Sequence, residues 1–154
     1  RHGLAAGEGP RSDCAPVTAL VDALFDAGIT PLFMRDPTRG GLAGVLCDLA
    51  EQWDRLGVAV DEARIPVREP VATVCDIVGV DPLHLASEGR VVAVVAPEAA
   101  ERAVAAWRAR PGGNLAEHIG ALAAQRPGRV QLTTRFGGAR LLVRPTAELL
   151  PRIC

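Results

Sequence analysis

The spacing of apolar residues along the chain predicts four amphipathic helices. In each segment, apolar side chains recur at intervals of three and four residues, which places them on one face of a helix. Asp13 is a candidate N-cap for the first helix, and Gly57 is a candidate end for the second. The four predicted inner faces are Val17, Leu20, Val21, Leu24 and Phe25; Leu42, Val45, Leu46, Leu49, Trp53 and Leu56; Val71, Val74, Cys75 and Val78; and Ala100, Ala103, Val104 and Trp107.

Short apolar runs between and after these helices predict strands. The run 91–96 is the clearest of them because most of its residues are β-branched. Residues 118–124 fit either a helix or a strand. The predicted strands are 29–34, the region 58–65, 91–96, and 130–135 with 139–143, the last two forming a hairpin around the Phe-Gly-Gly at 136–138.

The alternation of helices and strands predicts an α+β (layered α/β) domain with helices packed on a mixed β-sheet. The 154 residues fit one domain, which we place at 13–144. Residues 1–12, rich in glycine and charge, are expected to be a leader or the end of a linker. Residues 145–154 contain Pro145 and Pro151, which disfavour a helix and a central strand, so we expect an extended tail.

Composition excludes several classes of function. The formal net charge is −1, which gives no general attraction to nucleic acid or to an anionic membrane. The chain has no Lys, which excludes a catalytic or phosphate-binding lysine within it. It has no run of 18 uncharged apolar residues, so no membrane span is expected. The histidines are scattered, and the four cysteines show no C-x-x-C spacing, so we expect a cytoplasmic protein with reduced thiols and no metal site.

The beginning of the sequence predicts a partial product. The chain starts at Arg1, and its one methionine is Met34. We therefore expect a fragment or a processed form whose missing N-terminal part holds a share of any active site.

The segment Asp36-Pro37-Thr38-Arg39-Gly40-Gly41 lies between a predicted strand and the second predicted helix. A helix N-terminus has unpaired N–H groups and partial positive charge, and glycines let a ligand approach them closely. Thr38 and Arg39 add donors suited to a phosphate. The segment is therefore either an anion site or a capped turn, and the sequence does not separate the two.

Glu88 is the second candidate, in the loop Ser87-Glu88-Gly89-Arg90 just before the predicted strand 91–96. Its carboxylate is either a general base or an ordinary surface charge in a turn.

The third candidate is Cys154, the last residue of the sequence. A thiol ten residues beyond Arg144 has a reach of at most ~33–36 Å in an extended tail. It is either a carrier of a covalently attached group or a frayed end that happens to finish in cysteine.

Three stretches together resemble the C-terminal domain of the hydrogenase-maturation carbamoyl dehydratases, the HypE family. They are Arg35-Asp36-Pro37-Thr38-Arg39-Gly40-Gly41, Ser87-Glu88-Gly89-Arg90 and Pro151-Arg152-Ile153-Cys154. The resemblance covers essentially the whole chain, and the final Pro-Arg-Ile-Cys is its most specific part. That family is similar in fold to aminoimidazole ribonucleotide synthetase.

The resemblance implies a reaction. The carbamoyltransferase HypF places a carbamoyl group on the Cys154 thiol, ATP drives its dehydration to a thiocyanate, and the cyano group passes to iron on the HypC–HypD scaffold for a [NiFe]-hydrogenase. Glu88 matches the family's catalytic glutamate. Asp36, Thr38, Arg39, Gly40 and Gly41 match the phosphate end of the nucleotide site.

The family also has an N-terminal domain that is absent from this sequence. That domain carries most of the ATP and Mg²⁺ site and much of a homodimer interface, so we expect the chain alone to be inactive. Two alternatives stay open: a non-catalytic docking module, and another ATP-dependent synthetase of the same superfamily, such as a selenophosphate synthetase or thiamine-phosphate kinase relative.

Overall fold

The computed structural model describes residues 12–144 and contains four α-helices and six strands in that range. Short 3₁₀ turns at Glu62–Arg64, Pro82–His84 and Pro97–Ala99 connect them. In chain order the elements are α1 (Thr18–Asp26), β1 (Phe33–Arg35), α2 (Gly41–Gln52), β2 (Gly57–Asp61), α3 (Glu69–Val78), β3 (Val92–Val94), α4 (Ala100–Arg108), β4 (Gly120–Ala123), β5 (Val130–Thr133) and β6 (Ala139–Leu142).

The main sheet has four strands in the order β4-β2-β5-β6. β2 pairs antiparallel with β4 and parallel with β5, with Val58 opposite Val130 and Val60 opposite Leu132. β5 and β6 form the predicted antiparallel hairpin. The sheet is therefore mixed, as the sequence predicted.

A separate two-stranded sheet joins β1 and β3 in antiparallel register, with Met34 opposite Ala93. These strands position the two candidate loops. The segment Asp36-Pro37-Thr38-Arg39-Gly40-Gly41, called here the Gly-Gly segment, follows β1, and Ser87-Glu88-Gly89-Arg90, the Glu88 loop, precedes β3. The pairing of β1 with β3 therefore brings segments more than 45 residues apart in the chain close to each other.

The buried core has two parts. The larger packs α2 on the main sheet, with Leu49 and Leu132 at its centre. The smaller packs α1 against α4, around Leu24, Ile29 and Ala103. Cys47 and Cys75 are both buried, and the burial of Cys75 agrees with its predicted place on the inner face of a helix.

Several boundaries differ from the prediction. Asp13 is not the N-cap of α1, which begins at Thr18 after Val17, and its carboxylate binds elsewhere. Gly57 does not end α2, which stops at Gln52; it is the first residue of β2, where a Cβ would overlap the Gln125 carbonyl oxygen. The strand expected at 29–34 is reduced to β1, and 118–124 contains strand β4.

None of the helices in residues 12–144 has the length and apolar character needed to cross a membrane.

The packing of β5 gives a first testable prediction. Leu132 is completely buried between α2 and the main sheet, whereas Leu141 on the neighbouring strand is 44% exposed. We expect Leu132→Ala to lower the free energy of unfolding by about 2–5 kcal/mol, because it leaves a cavity. Leu141→Ala, which removes the same atoms from a half-exposed site, should cost much less. Urea denaturation of both variants measures the difference, and equal costs would contradict this core assignment.

Candidate functional site

The two loops that the sequence singled out lie against each other. The Ser87 N–H donates a hydrogen bond to the Pro37 carbonyl oxygen at 2.9 Å. The first turn of α2 contacts the Pro82–His84 turn and the residue after it. The structure thus brings the Gly-Gly segment and the Glu88 loop together.

The backbone conformation at the start of α2 by itself favours glycine at positions 40 and 41. Gly40 and Gly41 have φ values of 71° and 62°, in the left-handed region that favours glycine. A Cβ on Gly41 would also lie 2.5 Å from the Leu85 carbonyl oxygen. Close packing of backbone on backbone therefore explains Gly41 whether or not a ligand binds here.

The N-terminus of α2 also keeps the features of an anion site. No side chain caps it, so neither Asp36 nor Thr38 is an N-cap. Asp36 and Arg39 are exposed, and Thr38 is half-buried. The residues present therefore fit a phosphate group, through backbone N–H groups, a hydroxyl and a guanidinium.

Asp13 joins the Glu88 loop to the segment before α1. Its carboxylate accepts a hydrogen bond from the Ser87 hydroxyl and lies 3.8 Å from Nε of Arg90. Gly89 packs so tightly on this segment that a Cβ would overlap the Asp13 carbonyl oxygen. No local sequence pattern indicates this role for Asp13, because its partners lie more than 70 residues away in the chain.

Glu88 is exposed, and it lies between Ser87 and Gly89, which both contact Asp13. Its Oε2 accepts a hydrogen bond from the Cys14 thiol, with sulfur and oxygen 3.6 Å apart. A carboxylate in this position is open to a substrate and has one neighbouring thiol, whose proximity no local pattern in the sequence indicates.

A groove with a volume of about 440 Å³ opens beside the Glu88 loop. Its apolar walls include Leu42 from α2, Val71 from α3, and Leu83 and Leu85 from the segment between α3 and β3. Part of its lining is polar, because Asp13, Ser87 and Arg90 also border it. We call this the α2–α3 groove.

A group of charged side chains fixes the end of the described chain to α2. Arg144 bonds Asp48 at 2.5 Å and Glu51 at 2.9 Å, and Asp48 also pairs with Arg35 from β1. The hydrogen bonds that Arg144 donates to the carboxylates of Glu51 and Asp48 raise its pKa above the ordinary value. The point from which residues 145–154 depart is therefore held on the exposed side of α2.

The described thiols divide into two kinds. Burial raises the pKa of the thiols of Cys47 and Cys75, so both stay protonated at neutral pH and are poor nucleophiles. Cys14 is exposed. Cys154, the predicted carrier, lies outside the described residues. Within residues 12–144 no group of three or more His, Cys, Asp or Glu side chains is placed to hold a metal ion.

The tight contact at Gly89 gives a second prediction. We expect Gly89→Ala to destabilise the fold by about 1–3 kcal/mol, because the new methyl group collides with the backbone of Asp13. Gly138→Ala is a suitable control, since a Cβ there meets only the Thr134 hydroxyl at 3.2 Å. Thermal unfolding of both variants tests this, and an unchanged melting temperature for Gly89→Ala would contradict the contact.

Comparison with known families identifies the class of this chain. Residues 1–133 match the family model described as the AIR synthase related protein, C-terminal domain. The chain belongs to this family, and the fold described above is that of its members, as predicted.

Within this class the relatives are hydrogenase-maturation proteins. The chain is 47% identical to the carbamoyl dehydratase HypE of Bradyrhizobium diazoefficiens over 93% of its own length and 41% of the relative's. It is 42% identical to that of Azotobacter vinelandii over all of its length and 45% of the relative's. The predicted resemblance to HypE is confirmed, and the chain spans less than half the length of these curated relatives.

Solved structures of HypE proteins are also similar to this chain. HypE in complex with ATP matches with a TM-score of 0.88 and 39% identity, over 99% of this chain and 46% of that one. The HypE–HypF complex matches with a TM-score of 0.78 and 37% identity, over 87% of this chain and 43% of that one. One similar protein has thus been seen with ATP and another with HypF.

Proposed function

We propose that the protein containing this chain is an ATP-dependent carbamoyl dehydratase that makes the cyanide ligand precursor for [NiFe]-hydrogenase maturation. The observation that carries this proposal is the similarity to carbamoyl dehydratases, which extends over 93% of the chain for one relative and over all of it for another. HypF is the proposed carbamoyl donor, and the HypC–HypD complex is the proposed acceptor of the cyano group. The whole protein is proposed to be a cytoplasmic homodimer.

The chemistry assigns a role to each candidate residue. The Cys154 thiolate accepts the carbamoyl group and forms the thiocarbamate S–C(=O)–NH₂. ATP, which the resemblance to HypE places with Mg²⁺ mainly on the family's N-terminal domain, would supply the phosphoryl group that turns the amide oxygen into a leaving group, with ADP released. The nitrogen must then lose two protons in total as S–C≡N forms and phosphate departs. Glu88 is the proposed base, since an exposed carboxylate is accessible to a substrate carried on the Cys154 thiol.

The first turn of α2 is proposed to contact the phosphate end of ATP. Asp36, Thr38, Arg39, Gly40 and Gly41 bring backbone N–H groups and a guanidinium to a place next to the Glu88 loop. This juxtaposition supports the proposal, because the base and the phosphoryl group must act on neighbouring atoms of one thiocarbamate.

A reconstitution tests the proposal as a whole. The full-length protein is incubated with the carbamoyltransferase, carbamoyl phosphate and ATP, and its mass is followed over time. We expect the gain of one carboxamide group on the peptide that contains Cys154, followed by the loss of water. A protein that gains no such group under these conditions is a docking module and not this enzyme.

The same experiment can be done with residues 1–154 alone. We expect neither ATP hydrolysis nor dehydration, because less than half of the length of the relatives is present. A measurable ATPase rate from the purified chain would show that this part contains a complete nucleotide site.

A further inference from the structure

Asp13 contacts the Glu88 loop on both sides of Glu88 itself. On one side its carboxylate accepts the hydrogen bond from the Ser87 hydroxyl, and on the other it lies 3.8 Å from Nε of Arg90. Between these two contacts, Gly89 packs against the carbonyl oxygen of Asp13, where a Cβ would overlap that atom. Three of the four residues of the loop therefore contact this one residue.

Few other contacts hold the loop. It lies just before β3, outside the helices and strands of the described chain. Among the described residues its backbone makes one hydrogen bond, from the Ser87 N–H to the carbonyl oxygen of Pro37. Glu88 is exposed, and its described partner is the thiol of Cys14, the residue that follows Asp13. Loss of the Asp13 carboxylate is therefore expected to loosen the loop.

The position of this loop matters because a general base acts only at short range. A base must lie within hydrogen-bond distance of the proton that it removes, and a displacement of about 1 Å can cost about 10²-fold in rate. The exposed side chain of Glu88 has little packing to restrict it, so its placement depends on the backbone below it. Asp13, Ser87 and Arg90 also border the α2–α3 groove, so the loop is held next to a cavity that can admit a substrate group.

We propose that Asp13 is a positioning residue for the dehydration, because it fixes the Glu88 loop so that the carboxylate of Glu88 meets the thiocarbamate. The hydrogen bond from Ser87 holds one end of the loop, and the charge of Arg90 holds the other. In this role Asp13 acts through the loop and needs no contact with the reacting atoms. This inference deepens the proposed function and rests on it for the role of Glu88.

Hydrogen exchange of the loop amides tests this holding without any activity. The full-length protein is compared with its Asp13→Ala variant and with Asp22→Ala, which makes the same change at an exposed aspartate of α1. We expect the amides of residues 87–90 to exchange about tenfold faster or more in Asp13→Ala, because the loop opens more often, and at an unchanged rate in Asp22→Ala. An unchanged exchange rate in Asp13→Ala would overturn the proposal.

A double-mutant cycle tests whether Asp13 acts through Glu88. Single-turnover dehydration is measured on protein preloaded with the carbamoyl group, for Asp13→Ala, Glu88→Gln and the two changes combined. We expect Asp13→Ala to slow dehydration about 10²-fold, and to have no further effect when Glu88→Gln is already present. A purely structural role would instead give rate losses that multiply in the combined variant. That result, or normal dehydration by Asp13→Ala, contradicts the positioning role.

Two milder variants keep the proposal testable if Asp13→Ala disturbs folding. Asp13→Asn keeps an oxygen that can accept the hydrogen bond from Ser87 but carries no charge for Arg90, and Ser87→Ala removes the hydrogen bond alone. We expect both variants to lie between Asp13→Ala and the unmodified protein in loop exchange and in dehydration, with normal carbamoyl transfer to Cys154. Slow loop exchange in both variants, equal to that of the unmodified protein, would refute the assignment.

The two measurements separate this inference from the proposed function. Hydrogen exchange requires no ATP and no carbamoyl group, so it reports the holding of the loop even if the reconstitution fails. A protein whose loop depends on Asp13 but which never dehydrates a carbamoyl group refutes the proposed reaction, and Asp13 then only holds the loop. A variant that dehydrates at the normal rate with a loosened loop refutes the positioning role and leaves the reaction intact.

Discussion

Replacing Cys154 by alanine in the full-length protein is expected to abolish carbamoyl acceptance while leaving the fold unchanged. The proposed reaction forms its first covalent bond at this sulfur, and alanine has no atom that can replace it. Cys47 and Cys75 cannot take over, because their thiols are buried and protonated. Intact-mass measurement after incubation with carbamoyltransferase, carbamoyl phosphate and ATP gives the result directly.

Cys14→Ala is the matched control for this experiment. Cys14 is an exposed thiol near Glu88, so its loss tests whether carbamoyl acceptance requires this second accessible thiol. We expect this variant to accept the carbamoyl group at Cys154 as the unmodified protein does. A carbamoyl adduct on the Cys154→Ala protein would refute the assignment of the carrier.

Glu88→Gln is expected to block dehydration of the carbamoyl group without affecting its transfer to Cys154. The carbamoyl group should load onto Cys154 at the normal rate, because Glu88 is the proposed base of the later dehydration and not of that transfer. Dehydration should slow by about 10²–10⁴-fold, the usual contribution of a positioned general base. Single-turnover mass spectrometry of the preloaded protein measures loss of water, and the thiocarbamate should accumulate.

The control for Glu88→Gln is Glu98→Gln, which makes the same change at an exposed glutamate in the Pro97–Ala99 turn. Normal dehydration by the Glu88→Gln protein would show that this carboxylate is only a surface charge. The position of Glu88 permits both roles, since its described partner is the thiol of Cys14 and its side chain is exposed.

The helices and the hairpin were predictable because their signals are local. Apolar residues three and four apart define a helix face before any tertiary contact forms, and a Phe-Gly-Gly between two alternating runs defines a hairpin. The boundaries were less predictable. Gly57 is consistent with a helix end by its residue type, but close packing against residues 125 and 126 places it in β2.

The candidate loops were visible in the sequence as residue types, and their resemblance to HypE suggested their chemistry. Their proximity was not visible. It depends on the pairing of β1 with β3 and on the hydrogen bond from Ser87 to Pro37, between residues 50 positions apart. Contacts of this separation are selected by the packing of the whole domain and leave no periodic signal in the chain.

The sequence by itself thus determined the element types, the mixed α+β class and the residues able to carry chemistry, because each follows from local patterns of polarity and side-chain type. Tertiary structure alone decided that Asp13 joins the Ser87 loop instead of capping α1, and that Arg144 is fixed to α2 beside an open apolar groove. The physical reason is that a polar or charged side chain takes the partner that the folded backbone places within hydrogen-bond distance, and that partner is set by packing across the domain.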